Sequence, residues 1–413
     1  MRHRCSLVFV LAPLAVCCGS TTNGSVTGDS SATDTPYEWE SGVVDSSPLD
    51  TAPLDTATPA TAIDLPFAAS NVGTIVQGMP IGTQNADLVL DKSSPRCGSG
   101  IVFNTETGEI RCSDGVVLGV TFKVVEQPTT PKLGVFVLRS LTIGEGYVVR
   151  VEGKNALVIV AQGDIRIGGK LLVDSSAGGY TGGDYNYLDG NGPGGGRKGP
   201  VLTEGGGGGG GYCLSGGKGG DGADPGGAGG ATYGSPSLSP LVGGSGGGSQ
   251  KSGGGGAGGG AIQLVAGATL TIIKNGVVHA GGRGGAHTCL DGAAGGGSGG
   301  AILLEATSVS VEGALAANGG GGGAKDCGGG SSLAHATPDD VPAKVGIGGA
   351  GAAGSAGSGG GGPSSSSTGA GGGGGAAGRI RINAKTSTIA ATAIVSPSIT
   401  TGCASKGALA PKT

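Results

Sequence analysis

Aromatic residues are nearly missing from this chain: they make up 3% of its 413 residues, with one Trp and only two Met. A core must therefore be packed from Val, Ile, Leu and Ala, and nucleic-acid bases would find almost no ring to stack on. Charge is also sparse, at 13% with a net of -4, and no basic stripe interrupts it, which argues against a nucleic-acid partner. No apolar run reaches the roughly 20 residues that a transmembrane helix needs. No long segment carries the 3.6-residue period of an amphipathic helix. There is no CxxC, no HExxH and no paired Cys/His spacing, so neither a metal nor a cofactor is expected.

What is abundant is glycine, with 98 Gly beside 20 Pro. The chain opens like an export signal: Arg2, His3 and Arg4 precede the apolar run "CSLVFVLAPLAV". The run ends at "LAVCCGS", which resembles the lipobox of bacterial lipoproteins. That resemblance implies a signal over residues 1–17 and a lipid on Cys17, with Cys18 as second choice, so the membrane is the first expected partner. An ordinary cleaved secretory signal is the alternative. Residues 18–66, rich in Ser, Thr, Asp and Pro with "PLDTA" twice in succession, read as a disordered acidic linker. Residues 67–405 read as one domain and 406–413 as a tail.

Within that domain four phrases lie over one another: "NALVIVAQGDIRIGGKLLVDSS" (155–176), "GAIQLVAGATLTIIKNGVVHAGG" (260–282), "GAILLEATSVSVEGALAANGG" (300–320) and "GRIRINAKTSTIAATAIVSPS" (378–398). Each holds three short alternating strands. Ile262 and Leu264, Leu270 and Ile272, then Val277 mark them in the second phrase. Ile302, Leu304, Val309, Val311 and Leu315 do so in the third, and Ile380, Ile382, Ile389 and Ile394 in the fourth. Three strands in about 20 residues is one coil of a single-stranded parallel β-solenoid, or β-helix, a unit that must stack to bury its apolar side. With two less regular N-terminal coils the stack should reach about six layers, roughly 25–30 Å.

Glycine-rich inserts occupy 177–260, 281–299 and 318–378, leaving and re-entering at one corner, where length is tolerated because loop closure grows costly only logarithmically. Two readings of them stand open. Glycine loses more entropy on folding than any other residue, which favours disorder. A bundle of polyglycine II helices is the alternative, since only glycine lets such backbones approach closely. Shortening 350–370 is expected to matter little.

Six cysteines remain for pairing: Cys97, Cys112, Cys213, Cys289, Cys327 and Cys403. They suit three disulfides in an oxidising compartment, with 15 connectivities open. Only Cys97–Cys112 is favoured locally, by two short strands joined at a Gly-containing turn in "CGSGIVFNTETGEIRC".

The succession "VFVLRSLTIGEG", "ALVIVAQGDIRIGGKLLVDSSAGG", "GGGGAGGGAIQLVAGATLTI", "GGGSGGAILLEA" and "GGGGGAAGRIRINAKT" resembles glycine-rich, secreted or lipoprotein-type proteins of myxobacteria, over about residues 130 to 405. The resemblance implies a cell-surface address and little chemistry. PE-PGRS proteins are similar in composition alone; their helical N-terminal signature is missing here, and their function is not carried over.

For catalysis, a solenoid needs two or three carboxylates, or a carboxylate with a cation, on adjacent coils. Val160, Val265, Glu305 and Asn383 align by coil, so no column of acids forms. Asp164, Arg166, Glu305 and Arg381 are the candidates for a glycan-contact surface, weighed against ordinary solvated charges. His335 beside Asp339 and Asp340 reads as a turn, and "GGKGGDGAD" (216–224) lacks the apolar position of the calcium-binding nonapeptide. The expectation is a non-enzymatic structural or adhesive surface lipoprotein, outer-membrane-anchored or extracellular. Envelope polysaccharide or other surface proteins are its expected partners. The alternative is a polysaccharide-binding or -cleaving β-helix.

Overall fold

The computed structural model describes residues 62–412, apart from 93–96, 174, 176, 185, 202–203, 289–291, 325–334, 345–347 and 366–368. Cys17, Cys18, Cys289 and Cys327 lie outside the described residues. What is described is all-β, relieved only by a four-residue helical turn, Gly73–Val76, and a short 3-10 turn, Ile399–Thr401.

The repeated phrases stack in register. Ile262 pairs in parallel with Ile302, and Ile302 with Ile380; Val160, Val265, Glu305 and Asn383 follow one another in the next column but two. From Leu133 onward each layer contributes a first and second segment to a ten-stranded sheet and a third to an eight-stranded sheet; the layer before it supplies only a second, Asp87–Leu90, and a third. The third segments are Gly100–Asn104, Val148–Glu152, Lys170–Leu172, Val277–His279, Ala314–Ala316 and Ile394–Ser396, six layers in all. Side chains alternate along each strand, so Phe136, Ile159, Leu264, Leu304 and Ile382 line one interior column. At about 2 kcal/mol for each fully buried aliphatic side chain, these columns supply the main driving force.

The expected purely parallel pattern is met only in part. Thr121–Val125 lies antiparallel to Leu133–Leu138, and Ile110–Cys112 antiparallel to Gly100–Asn104 and Val117–Leu118, so both sheets are mixed and curl into a half-barrel. The third-segment register is also shifted by one residue from expectation. Val278, Leu315 and Val395 pair and face the core, whereas Val277 and Ile394 pair with Ala314. Two adjacent Val in a three-residue strand do not announce which one points inward.

The domain extends beyond 67–405 at both ends. Ile63 and Leu65, assigned to the linker, are buried with Phe67, Val72 and Val76 over the outer face of Val158, Val160, Val265 and Leu303. At the other end Ala404–Gly407 pairs with Ile380–Asn383, and Ala410–Pro411 pairs antiparallel with Phe67–Ala68, so half of the expected tail lies in strands.

The described residues of the glycine inserts form a hydrogen-bonded lattice, buried along 205–213, 241–250, 292–299, 318–324 and 369–378. Along 206–211 the amide donors rotate through three neighbours: Gly206 and Gly209 reach Gly220 and Gly217, Gly207 and Gly210 reach Ala293 and Gly296, and Gly208 and Gly211 reach Arg197 and Gly194, at 2.8–2.9 Å. Residues 371–376 repeat the scheme towards Pro363 and Gly360, Gly323 and Gly320, and Gly207 and Gly210. A donor direction that recurs every third residue is the rotation of a polyproline II-type helix. The need for glycine is steric. A Cβ at Gly209 would sit inside the carbonyl of Gly374, and one at Gly207 inside that of Gly248. Segment 349–363 belongs to this network, with Ala352 donating to Gly375 and Gly360 to Ala350, so 350–370 is not the dispensable loop that composition suggests.

Cys97 and Cys112 are joined, as the local strands predict, across a hairpin in which Cys112 pairs with Ile101. Cys213 and Cys403 form a second disulfide, tying an insert to the last layer. Both bonds fit an oxidising compartment.

Candidate functional site

The four residues expected to form a glycan-contact surface do not form one constellation. Asp164 and Arg166 are exposed beside the second strand segment; Asp164 accepts from the amide of Thr269 at 2.9 Å, and Arg166 stands between Thr142 and Thr271. Glu305 is 1% exposed. Its carboxylate accepts from the Ser70 amide (2.9 Å) and hydroxyl (2.7 Å), Gln263 Nε2 (2.6 Å) and Asn383 Nδ2 (3.0 Å). Those donors make a buried carboxylate tolerable, and they fasten the 62–90 segment to the sheet. Glu305 is therefore not on an open face. Arg381 is half-buried and donates to Asn383 Oδ1 (2.8 Å) and Ser405 Oγ (3.2 Å), joining the same network.

Other polar side chains, the sequence candidates His335, Asp339 and the 216–224 stretch among them, take structural roles. Arg379 lies over the Tyr212 ring at 5.7 Å and donates to the Tyr233 carbonyl. Tyr212 and Tyr233 hydroxyls donate to the Val242 and Gly243 carbonyls, and burial pushes both phenols up. With Cys213–Cys403 beside it, this cluster clamps the bundle to the last layer; composition alone gave no hint of it. Asp221, in the calcium-like stretch, takes hydrogen bonds from Lys218 and the Gly226 amide, which hold its carboxyl below the usual range. His335 accepts from the Gly284 amide at 3.2 Å, while Asp339 accepts from Thr337 and Val341 in its own turn. Among the described residues no group of three or more His, Cys, Asp or Glu is placed to hold a metal.

One concavity lies where no sequence motif marked it. It is an open groove of about 830 Å³ on the glycine bundle, floored by residues 254–257 and walled by 181–184 and 187–191 on one side and by Arg283, Gly284 and Ala286 on the other. Hydrogen bonds tie residues 181–184 and 187–191 to the bundle. Gly183 donates to Gly247, Leu188 to Ser249 Oγ (2.7 Å) and Asn191 to Thr181, while Ser249 Oγ returns a bond to Leu188. Asp189 on that wall accepts from Arg197 (2.6 Å) and the Lys198 amide (2.8 Å). Burial raises its pKa, but those bonds outweigh it and hold the carboxyl below 3.8. The only forewarning in the sequence is the local clustering of Tyr, Asp and Asn in "YTGGDYNYLDGN".

No family model matches the chain, and no curated protein or solved structure does either.

Proposed function

We propose that this chain is a non-enzymatic, exported surface protein: a single-stranded parallel β-solenoid carrying a polyglycine II bundle, tethered to the outer membrane by lipid on Cys17, or on Cys18. Its role is structural or adhesive. The bundle carries the reading. Roughly a quarter of the chain is glycine, and its tracts are held backbone to backbone in a lattice that tolerates almost no side chain. Such a lattice stiffens a large surface without placing reactive groups on it. The two disulfides support an exported address.

The experiment is export of the full chain in a bacterial host that processes lipoproteins, comparing the parent with Cys17→Ala, Cys18→Ala and the double variant. The parent should fractionate with the outer membrane and be accessible to antibody on intact cells, and one single variant should lose its lipid label. Retention of the parent in the cytoplasm would overturn the proposal. A second reading, polysaccharide binding, is favoured by the groove floored by residues 254–257.

A further inference from the structure

We infer that the groove over residues 254–257 is a binding site for a linear, uncharged polysaccharide, a site on the bundle rather than on the sheet face. The inference deepens the second reading above and rests on it.

The floor shows an unfilled position. Around residues 254–260 the amides again rotate through three directions. Gly255 and Gly258 donate to Gly183 and Tyr180, and Gly256 and Gly259 to Gly295 and Ser298, at 2.8–2.9 Å. In the third direction Gly260 donates to Val173, but Gly254 and Ala257 have no acceptor among the described residues. Gly254, Gly255 and Ala257 are partly exposed, whereas Gly256 and Gly258 are buried. Two unpaired donors thus face the groove three residues apart, about 9 Å at the rise of such a helix. Gly182 and Gly284, on the two walls, have carbonyls without a donor among the described residues.

Another glycine helix does not fit this place. The methyl of Ala257 and the side chains of Asp189, Asn191, Lys198 and Arg283 line it. Those groups suit hydroxyls, each of which both donates and accepts. Lys198 and Arg283 are exposed and make no side-chain hydrogen bond or ion pair among the described residues, so they are available as donors. Two acids and two bases line the groove, so its charge is balanced and selects no anion. Tyr187 also lines the groove. The groove is open, so a chain can pass through it rather than end in it.

The test is calorimetry of the full mature chain with cellohexaose, laminarihexaose and chitohexaose, with hexagalacturonate and polyglutamate as charged comparisons. At least one neutral hexamer should bind with a 1:1 stoichiometry. Lys198→Gln/Arg283→Gln, both exposed, should weaken it about tenfold or more. Ala257→Pro removes one floor donor while keeping the backbone angle such a helix requires, and should weaken binding several-fold with an unchanged circular dichroism spectrum. No binding of any neutral hexamer, tighter binding of either charged polymer, or indifference to both variants would each overturn the inference. Surface exposure of the parent would stand in all three cases, so failure here is distinct from failure of the surface-protein reading.

Discussion

The layered strands and the glycine bundle share one chain and solve burial in opposite ways. In the strands, side chains do the work: Phe136, Ile159, Leu264, Leu304 and Ile382 form a continuous apolar column. In the bundle, the lack of side chains does it, because Gly207 and Gly209 lie against carbonyls where a methyl would collide. One region gains free energy from removing apolar surface from water. The other gains from satisfying buried backbone groups, against the high entropy cost of ordering glycine. The comparison teaches that glycine-rich sequence is not a sufficient mark of disorder when its donors find partners at a fixed period.

The largest effect should come from breaking a column. Leu304→Asp places an unpaired charge in the interior and should cost more than about 5 kcal/mol, leaving no cooperative thermal melt. A melt within a few degrees of the parent would contradict the column. Next comes the bridge between the two regions. Cys213→Ser opens a loop of 190 residues and should cost up to about 5 kcal/mol on the chain-entropy model, against about 3 kcal/mol for Cys97→Ser, whose loop is 15. Denaturant midpoints in the reverse order would show that the bundle is not fastened by that bond.

Smaller effects sharpen the contrast. Gly209→Ala should destabilise by about 1–3 kcal/mol through overpacking, while Gly254→Ala, whose methyl would make only an ordinary 3.5 Å contact with the Gly183 carbonyl, should stay within about 0.5 kcal/mol. Equal losses at the two sites would mean that backbone contact is not what glycine supplies. The smallest effect is electrostatic. The carboxyl of Asp189 is held below its unfolded value of 3.8, so its contribution is present above that pH and fades as pH falls further. The pair is substantially exposed, so Asp189→Asn should remove only a few tenths of a kcal/mol near neutrality, measurable as a slightly shallower acid limb of the melting curve.

Much of the strand region was legible because alternation of β-branched residues carries register. The column Val160, Val265, Glu305, Asn383 follows from laying the phrases over one another. What that alignment could not reveal is burial on the outer face. Glu305 reads as a surface acid until Ser70, 235 residues away in sequence, comes to lie on it. Ile63 and Leu65 were hidden for the same reason, as isolated apolar residues after an acidic stretch. The bundle was legible only as an option, because a run of glycine has no pattern from which neighbours can be deduced. Of the groove only one wall left a trace in the sequence: its floor is defined by which amides lack partners, a property of the assembled lattice. Cys97–Cys112 could be read from a hairpin, whereas Cys213–Cys403 joins stretches with no local relation.

The three-direction bonding of the inserts also sets how their length can change. Removing one residue between 206 and 211 turns every later amide by a third of a revolution, away from its acceptor and towards another segment's. Removing three returns each amide to the same side. These tracts therefore carry a reading frame of their own, written in space rather than in codons, and they can grow or shrink smoothly only in triplets.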